Sequence, residues 1–149
     1  GAVGAPCGIA AEQAWECESA GNLERYHRAK TAALFVAASE SGAIAAGADP
    51  APWRVLGARL GEAYQVADDI RDVAGSPQEL GKPVGRDAAL GRPNAAREFG
   101  LATAVVRFRS LVDEAVGSIP DCPGRESLRG LMLGEVGRLL PSDLARQAA

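Results

Sequence analysis

The chain is poor in the residues that most metal, redox and membrane chemistries require. It has one histidine, His27, in 149 residues, which excludes a site built on several histidines. Its cysteines, Cys7, Cys17 and Cys122, are odd in number and form no CxxC. They argue against a disulfide framework or a thiolate zinc site and suit a reducing cytoplasm. Basic residues are not in excess: a net charge of -3 and a pI near 5.2 speak against a nucleic-acid surface. Charged or polar residues interrupt every apolar run before it reaches the length of a membrane span. Internal repeats are missing, and so is a Walker A loop, since Gly75 and Gly81 are spaced wrongly and Pro83 stands where Ser or Thr is needed. The only methionine is Met132, and the chain opens without one, so the expectation is a piece of a longer protein.

With 47% hydrophobic and 23% charged residues, the composition is that of a globular chain, long enough for one domain with one core. Alanine is abundant, period-2 alternation is absent, and apolar residues recur at three and four, so the fold class expected is all-α. A first helix is predicted from Gly8 to about Ser19, ended by SAGN, with Asn22 capping the next. The second covers Leu23 to about Gly47, with a kink near Lys30-Thr31 or at Gly42. GADPAP breaks the pattern, and Pro50 and Pro52 start a third helix running to about Val73. Ser76 to Arg92, rich in Gly, Pro and charge, reads mainly as a loop. Pro93 suits the first turn of a short helix. Two more follow, from Leu101 to Ser118 and from Arg125 to Leu140.

The third helix contains YQVADDIRDVAG, Tyr64 to Gly75. At about 100° per residue, Gln65, Asp68, Asp69 and Asp72 share an arc of about 100°. Leu56, Leu60, Ala63, Tyr64, Ala67, Ile70 and Val73 lie on the other side. A merely solvated face is the plain reading, but aspartate is a poor choice for it, costing about 0.5 kcal/mol each against alanine inside a helix. Two carboxylates 5 to 6 Å apart also repel by about 0.7 kcal/mol in water and about 3 kcal/mol at an effective dielectric near 20. A hard cation such as Mg2+ relieves that repulsion. Because Mg2+ takes one or two carboxylates and fills its remaining positions with water or phosphate oxygens, a phosphate-bearing ligand follows. The next segment, LGKPVGRD, sets Lys82 and Arg86 beside glycines, with Arg92 shortly after. These cations either neutralise the aspartates directly or grip the far side of a metal-bound phosphate.

The ordered set YQVADDIRDVAG…LGKPVGRD resembles the second aspartate-rich motif and following loop of the trans-isoprenyl diphosphate synthases, the polyprenyl synthetase family. EQAWE (Glu12 to Glu16) stands where that family carries a GQALD-type sequence, and YHRAKTAALF (Tyr26 to Phe35) is similar to its Lys-Thr helix. GRPNAAREFG (Gly91 to Gly100) and SIPDCPG resemble, more narrowly, geranylgeranyl diphosphate synthases of bacteria that make carotenoids or bacteriochlorophyll.

The resemblance implies an antiparallel bundle of the isoprenoid-synthase type with its site in the core. It implies condensation of isopentenyl diphosphate with an allylic diphosphate, farnesyl to geranylgeranyl diphosphate, in which Mg2+ assists departure of the allylic diphosphate. By position, Asp68 is implied as a direct metal ligand, and Asp69 and Asp72 as ligands through water or their supporting partners. Gln65, Lys30 and Thr31 correspond to residues near the cation and diphosphate, and Lys82 to a diphosphate-gripping lysine. Asp87 corresponds to a supporting acid, and Arg92 stands where many relatives have lysine. Arg71 replaces a commoner apolar residue but lies off the acidic arc, so no damage is expected from it.

The family's first aspartate-rich motif, the arginine after it and the region that sets product length have no counterpart here. Residues 1–149 are therefore expected to be the carboxy-terminal half of one synthase domain, inactive alone, and homodimeric in the full-length protein. Two other readings stay open: a farnesyl or longer-chain synthase, and a non-catalytic helical subunit that keeps half a site. His27 is set aside as structural. Trp15 and Trp53 read as packing residues, Cys7 and Cys17 as buried small ones, and Glu12 and Glu16 as a half-exposed helix face. Leu101, Val105, Phe108, Val112 and Val116 form a stripe for the core or for a subunit interface.

Overall fold

A computed structural model describes residues 31–75, 94–141 and 144. Within these the chain is helical, with no strand. A wider π turn at 31–32 leads into α1, Ala33–Ala45. α2 is Trp53–Ala74, α3 the single turn Ala95–Glu98, α4 Leu101–Gly117 and α5 Arg125–Val136, which tightens into a 3₁₀ turn at Gly137–Leu139.

Local chemistry explains these limits. Pro52 caps α2, where its missing N–H deprives no acceptor, and the Asp49 side chain accepts the Ala51 N–H at 3.0 Å in the turn before it. Gly100, at φ 87°, turns the chain from α3 into α4 in a conformation that side chains rarely adopt. The π turn stands at the predicted kink near Thr31, and α1 runs through Gly42 to Ala45. α2, α4 and α5 match their predicted spans to within a few residues. The predicted helix from Gly8 to Ser19 and the loop from Ser76 to Arg92 lie outside the described residues.

α2 is the central helix. α4 lies along one side of it, α1 along another, and α3 covers its carboxy-terminal end. The core forms where Leu56, Ala63, Val66, Ala67 and Ile70 of α2 meet Ala104, Phe108, Leu111, Val112, Ala115 and Val116 of α4. Met132 and Val136 of α5 close it from below. Ile70 and Leu111 are fully buried, each contributing about 1.5–3 kcal/mol relative to exposure. The predicted α4 stripe is thus core, with Leu101 and Val105 partly buried at its edge.

The predicted division of α2 into an apolar face and a carboxylate face does not coincide with its buried and exposed sides. Gln65, Asp69 and Asp72 are buried, whereas Tyr64 and Val73 on the apolar arc are exposed. The cause is α3, which packs on the acidic turn and takes it out of water. Another departure from a simple wheel is Glu62. It is buried between Arg59 of its own helix and Arg107 of α4, at 3.4 Å from each, and Arg59 also reaches Glu114 at 2.9 Å.

Candidate functional site

The site begins with two glycines. On the α2 face turned to α1, Gly57 and Gly61 allow the backbones to touch: a Cβ on Gly57 would lie 2.6 Å from Val36 Cα, and one on Gly61 would overlap Ala32. No larger residue fits without moving a helix. This close approach brings Thr31, just before α1, onto α2, where its Oγ1 donates to Gln65 Oε1 at 3.1 Å. Thr31 and Gln65, predicted separately, are therefore neighbours.

Gln65 then passes the polarity on. Its Nε2 donates to Asp69 Oδ1 at 3.0 Å, one turn later on α2. The other oxygen of Asp69 accepts the backbone N–H of Ala95 at 2.8 Å, and Asn94 Nδ2 donates to the Asp69 main-chain carbonyl at 3.3 Å. Asn94 in turn caps α3, its side chain accepting the Arg97 N–H at 3.1 Å. Asp69, 1% exposed, is thereby tied to the amino-terminal end of α3 through one carboxylate oxygen and its carbonyl, while its other carboxylate oxygen holds Gln65 of α2.

The other two aspartates are paired differently. Asp72 accepts from Arg97 Nη2 of α3 at 3.2 Å. Asp68, the most open of the three, lies 3.3 Å from Arg71 Nη2, and the Arg71 guanidinium sits 5.7 Å from the centre of the Tyr64 ring. Tyr64 packs in turn on Phe35 of α1 at 5.6 Å. Arg71, expected off the acidic arc, thus bends onto it.

Among the described residues no three His, Cys, Asp or Glu side chains converge as a complete metal cage. The donor chemistry nevertheless fits Mg2+. Asp68 and Asp72 stand one turn apart on one face of α2 and offer hard oxygens, and Mg2+ takes one or two carboxylates alongside water and phosphate oxygens. Asp69 is the least suited, since both its oxygens already accept hydrogen bonds. Lys30, Lys82, Asp87 and Arg92 lie outside the described residues.

Sequence reasoning missed Asn94, Arg97 and Glu62. Asn94 carried a signal: asparagine followed by a short helical run is a capping pattern. Arg97 and Glu62 carried none, because Asp72 and Arg107, the partners that place them, are distant in sequence.

Comparison with known proteins bears on the family and the fold. The family model described as Polyprenyl synthetase matches residues 7–125. A geranylgeranyl diphosphate synthase of Cereibacter sphaeroides is 49% identical over 143 residues, 96% of this chain and 50% of that protein. One of Rhodobacter capsulatus is 49% identical over 125 residues, 84% of this chain and 43% of its own. The chain spans about half the length of these relatives. In fold it is similar to heptaprenyl diphosphate synthase from Staphylococcus aureus, at a TM-score of 0.74 and 18% identity, covering 87% of this chain and 56% of that one.

Proposed function

Because the chain belongs to the polyprenyl synthetase family, we propose that it supplies the carboxy-terminal half of a prenyltransferase, one that condenses isopentenyl diphosphate with an allylic diphosphate. The likeness to two geranylgeranyl diphosphate synthases supports farnesyl diphosphate as the allylic substrate. The observation that carries the reading is the continuous polar line Thr31–Gln65–Asp69, laid beside Asp68 and Asp72 in an otherwise apolar helix junction. Such a buried line has little use as a solvated face, and it has a use beside a ligand that carries both charge and hydrocarbon.

Asp68 and Asp72 would hold Mg2+, which offsets the charge gathering on a departing diphosphate. Gln65 is oriented by its two hydrogen bonds, so its carbonyl oxygen and the Thr31 hydroxyl present fixed negative dipoles where positive charge develops on the allyl group. Asp69 holds the acidic turn against α3 and thereby sets the end of the segment that carries Lys82, Asp87 and Arg92. Those three, with Lys30, are proposed to bind or support the diphosphate. The cysteine usage supports a cytoplasmic enzyme, and the family implies a homodimer. This chain alone is proposed to be inactive.

The test fuses the 149 residues to the amino-terminal half of the Cereibacter sphaeroides relative and supplies Mg2+, isopentenyl diphosphate and farnesyl diphosphate. Mass spectrometry is expected to find geranylgeranyl diphosphate from the fusion and none from the chain alone. A folded fusion that forms no prenyl product would overturn the reading.

A further inference from the structure

Arg71 does not hold Asp68 as arginine usually holds a carboxylate. A tight pair uses two parallel N–H donors. Here one nitrogen, Nη2, reaches one oxygen at 3.3 Å, at the long end of the range for such a bond. The Arg71 Nε is buried and has no hydrogen-bond partner. Asp68 is also the carboxylate most open to solvent, its side chain 27% exposed against 8% for Asp72. A cation arriving from water therefore reaches Asp68 with the least rearrangement and meets Arg71 there first. A second resting place adjoins it, the ring of Tyr64, whose face attracts a guanidinium.

Resting on the reading of Asp68 as a Mg2+ ligand, we infer that Arg71 is an internal competitor of the divalent cation at Asp68. In the metal-free chain the guanidinium offsets the repulsion of the acidic turn. When the metal is bound, it gives up the carboxylate and stays on Tyr64. An apolar residue at this position would take one cation away from Asp68 and from the acidic turn. Arg71 thus weakens metal binding and steadies the metal-free state, and the two effects share one contact.

The experiment is a Mg2+ titration of the 149-residue chain, with inorganic pyrophosphate at fixed concentration, followed by NMR at the amides of residues 65–73. For Arg71→Leu the midpoint is expected at about three- to tenfold lower Mg2+, from loss of a charge a few ångströms from the metal. In the unsubstituted chain the Arg71 Nε–Hε peak is expected to move as Mg2+ is added. In metal-free Asp68→Asn it is expected already near the metal-loaded position. An unchanged midpoint in Arg71→Leu, or a peak that stays in place while the amides titrate, would overturn the inference. If no amide in the acidic turn of the unsubstituted chain responds to Mg2+, the metal reading fails and this inference fails with it. The peak measurement needs no substitution, so it stands even if Arg71→Leu does not fold.

Discussion

Asp69 accepts the backbone N–H of Ala95 at 2.8 Å, joining residues 26 apart in sequence at the buried edge of the acidic turn. Its neighbour Asp68 is partly exposed, and its ion pair to Arg71 is loose. Asp69→Ala is therefore expected to lower stability by about 2–4 kcal/mol, since it leaves the Ala95 N–H and the Gln65 amide short of an acceptor in the core. Asp68→Asn should stay within about 1 kcal/mol of the parent. Urea unfolding measures both, and hydrogen exchange at Ala95 should quicken only in the Asp69 variant. Equal losses would contradict the division of labour.

Activity should divide the pair the other way. In a completed enzyme, Asp68→Ala is expected to reduce kcat by about 100-fold or more, the scale of removing one group that offsets transition-state charge. Its melting temperature should barely move. A kcat within threefold of the parent would remove Asp68 from the metal site.

Glycines on α1, α2 and α5 should respond to alanine with opposite signs. Gly57→Ala and Gly61→Ala force a methyl into the α1 backbone and should destabilise by about 1–3 kcal/mol. Gly42→Ala and Gly130→Ala meet open space inside helices and should stabilise by about 0.5–1 kcal/mol. A set of denaturation midpoints checks the signs directly.

The polar line from α1 to α3 should weaken in steps. Thr31→Val removes one donor to Gln65, for about 1 kcal/mol. Gln65→Leu also strips a donor from buried Asp69, for about 2–3 kcal/mol. Together the two should cost less than their sum, because both break the same Thr31–Gln65 bond. Strict additivity in a double-mutant cycle would show that bond to contribute nothing.

Glu62 sits among two arginines that reach solvent, so its pairs are partly screened. Glu62→Ala should lower stability by about 1–2 kcal/mol, and Arg107→Ala, on the exposed side, by less than about 1 kcal/mol. Thermal melts in low and high salt should bring the Arg107 loss toward zero while keeping most of the Glu62 loss.

Local signals were enough for much of this. The α4 stripe and the extent of α2 follow from apolar spacing, because each helix packs one face on the other. The acidic motif was readable because aspartate is unsuited to a helix interior. Spacing alone did not separate its members, and only the family resemblance set Asp68 apart from Asp69 and Asp72. Asp68 and Asp69 are adjacent and identical in type, and only the partner at Ala95 gives one a buried anchoring role. The same holds for Glu62, where a helix wheel cannot see Arg107. Gly57 and Gly61 read as weak points of a helix until α1 is laid against them. Tyr64 was placed on the buried side because a wheel knows nothing of where neighbouring helices end.

At Gly57 and Gly61 there is backbone against backbone, with no side chain between. Packed helices slide past one another through small shifts of the side chains at their interface, and at these two glycines there are none to shift, while beside them the Phe35 ring packs on Tyr64. At one end of the pair Arg54 grips Glu40 at 2.6 Å, and at the other Thr31 bonds Gln65. The junction therefore lacks compliance. α1 and α2 behave as one stiff beam, and a displacement imposed on α1 arrives at the acidic turn with little loss.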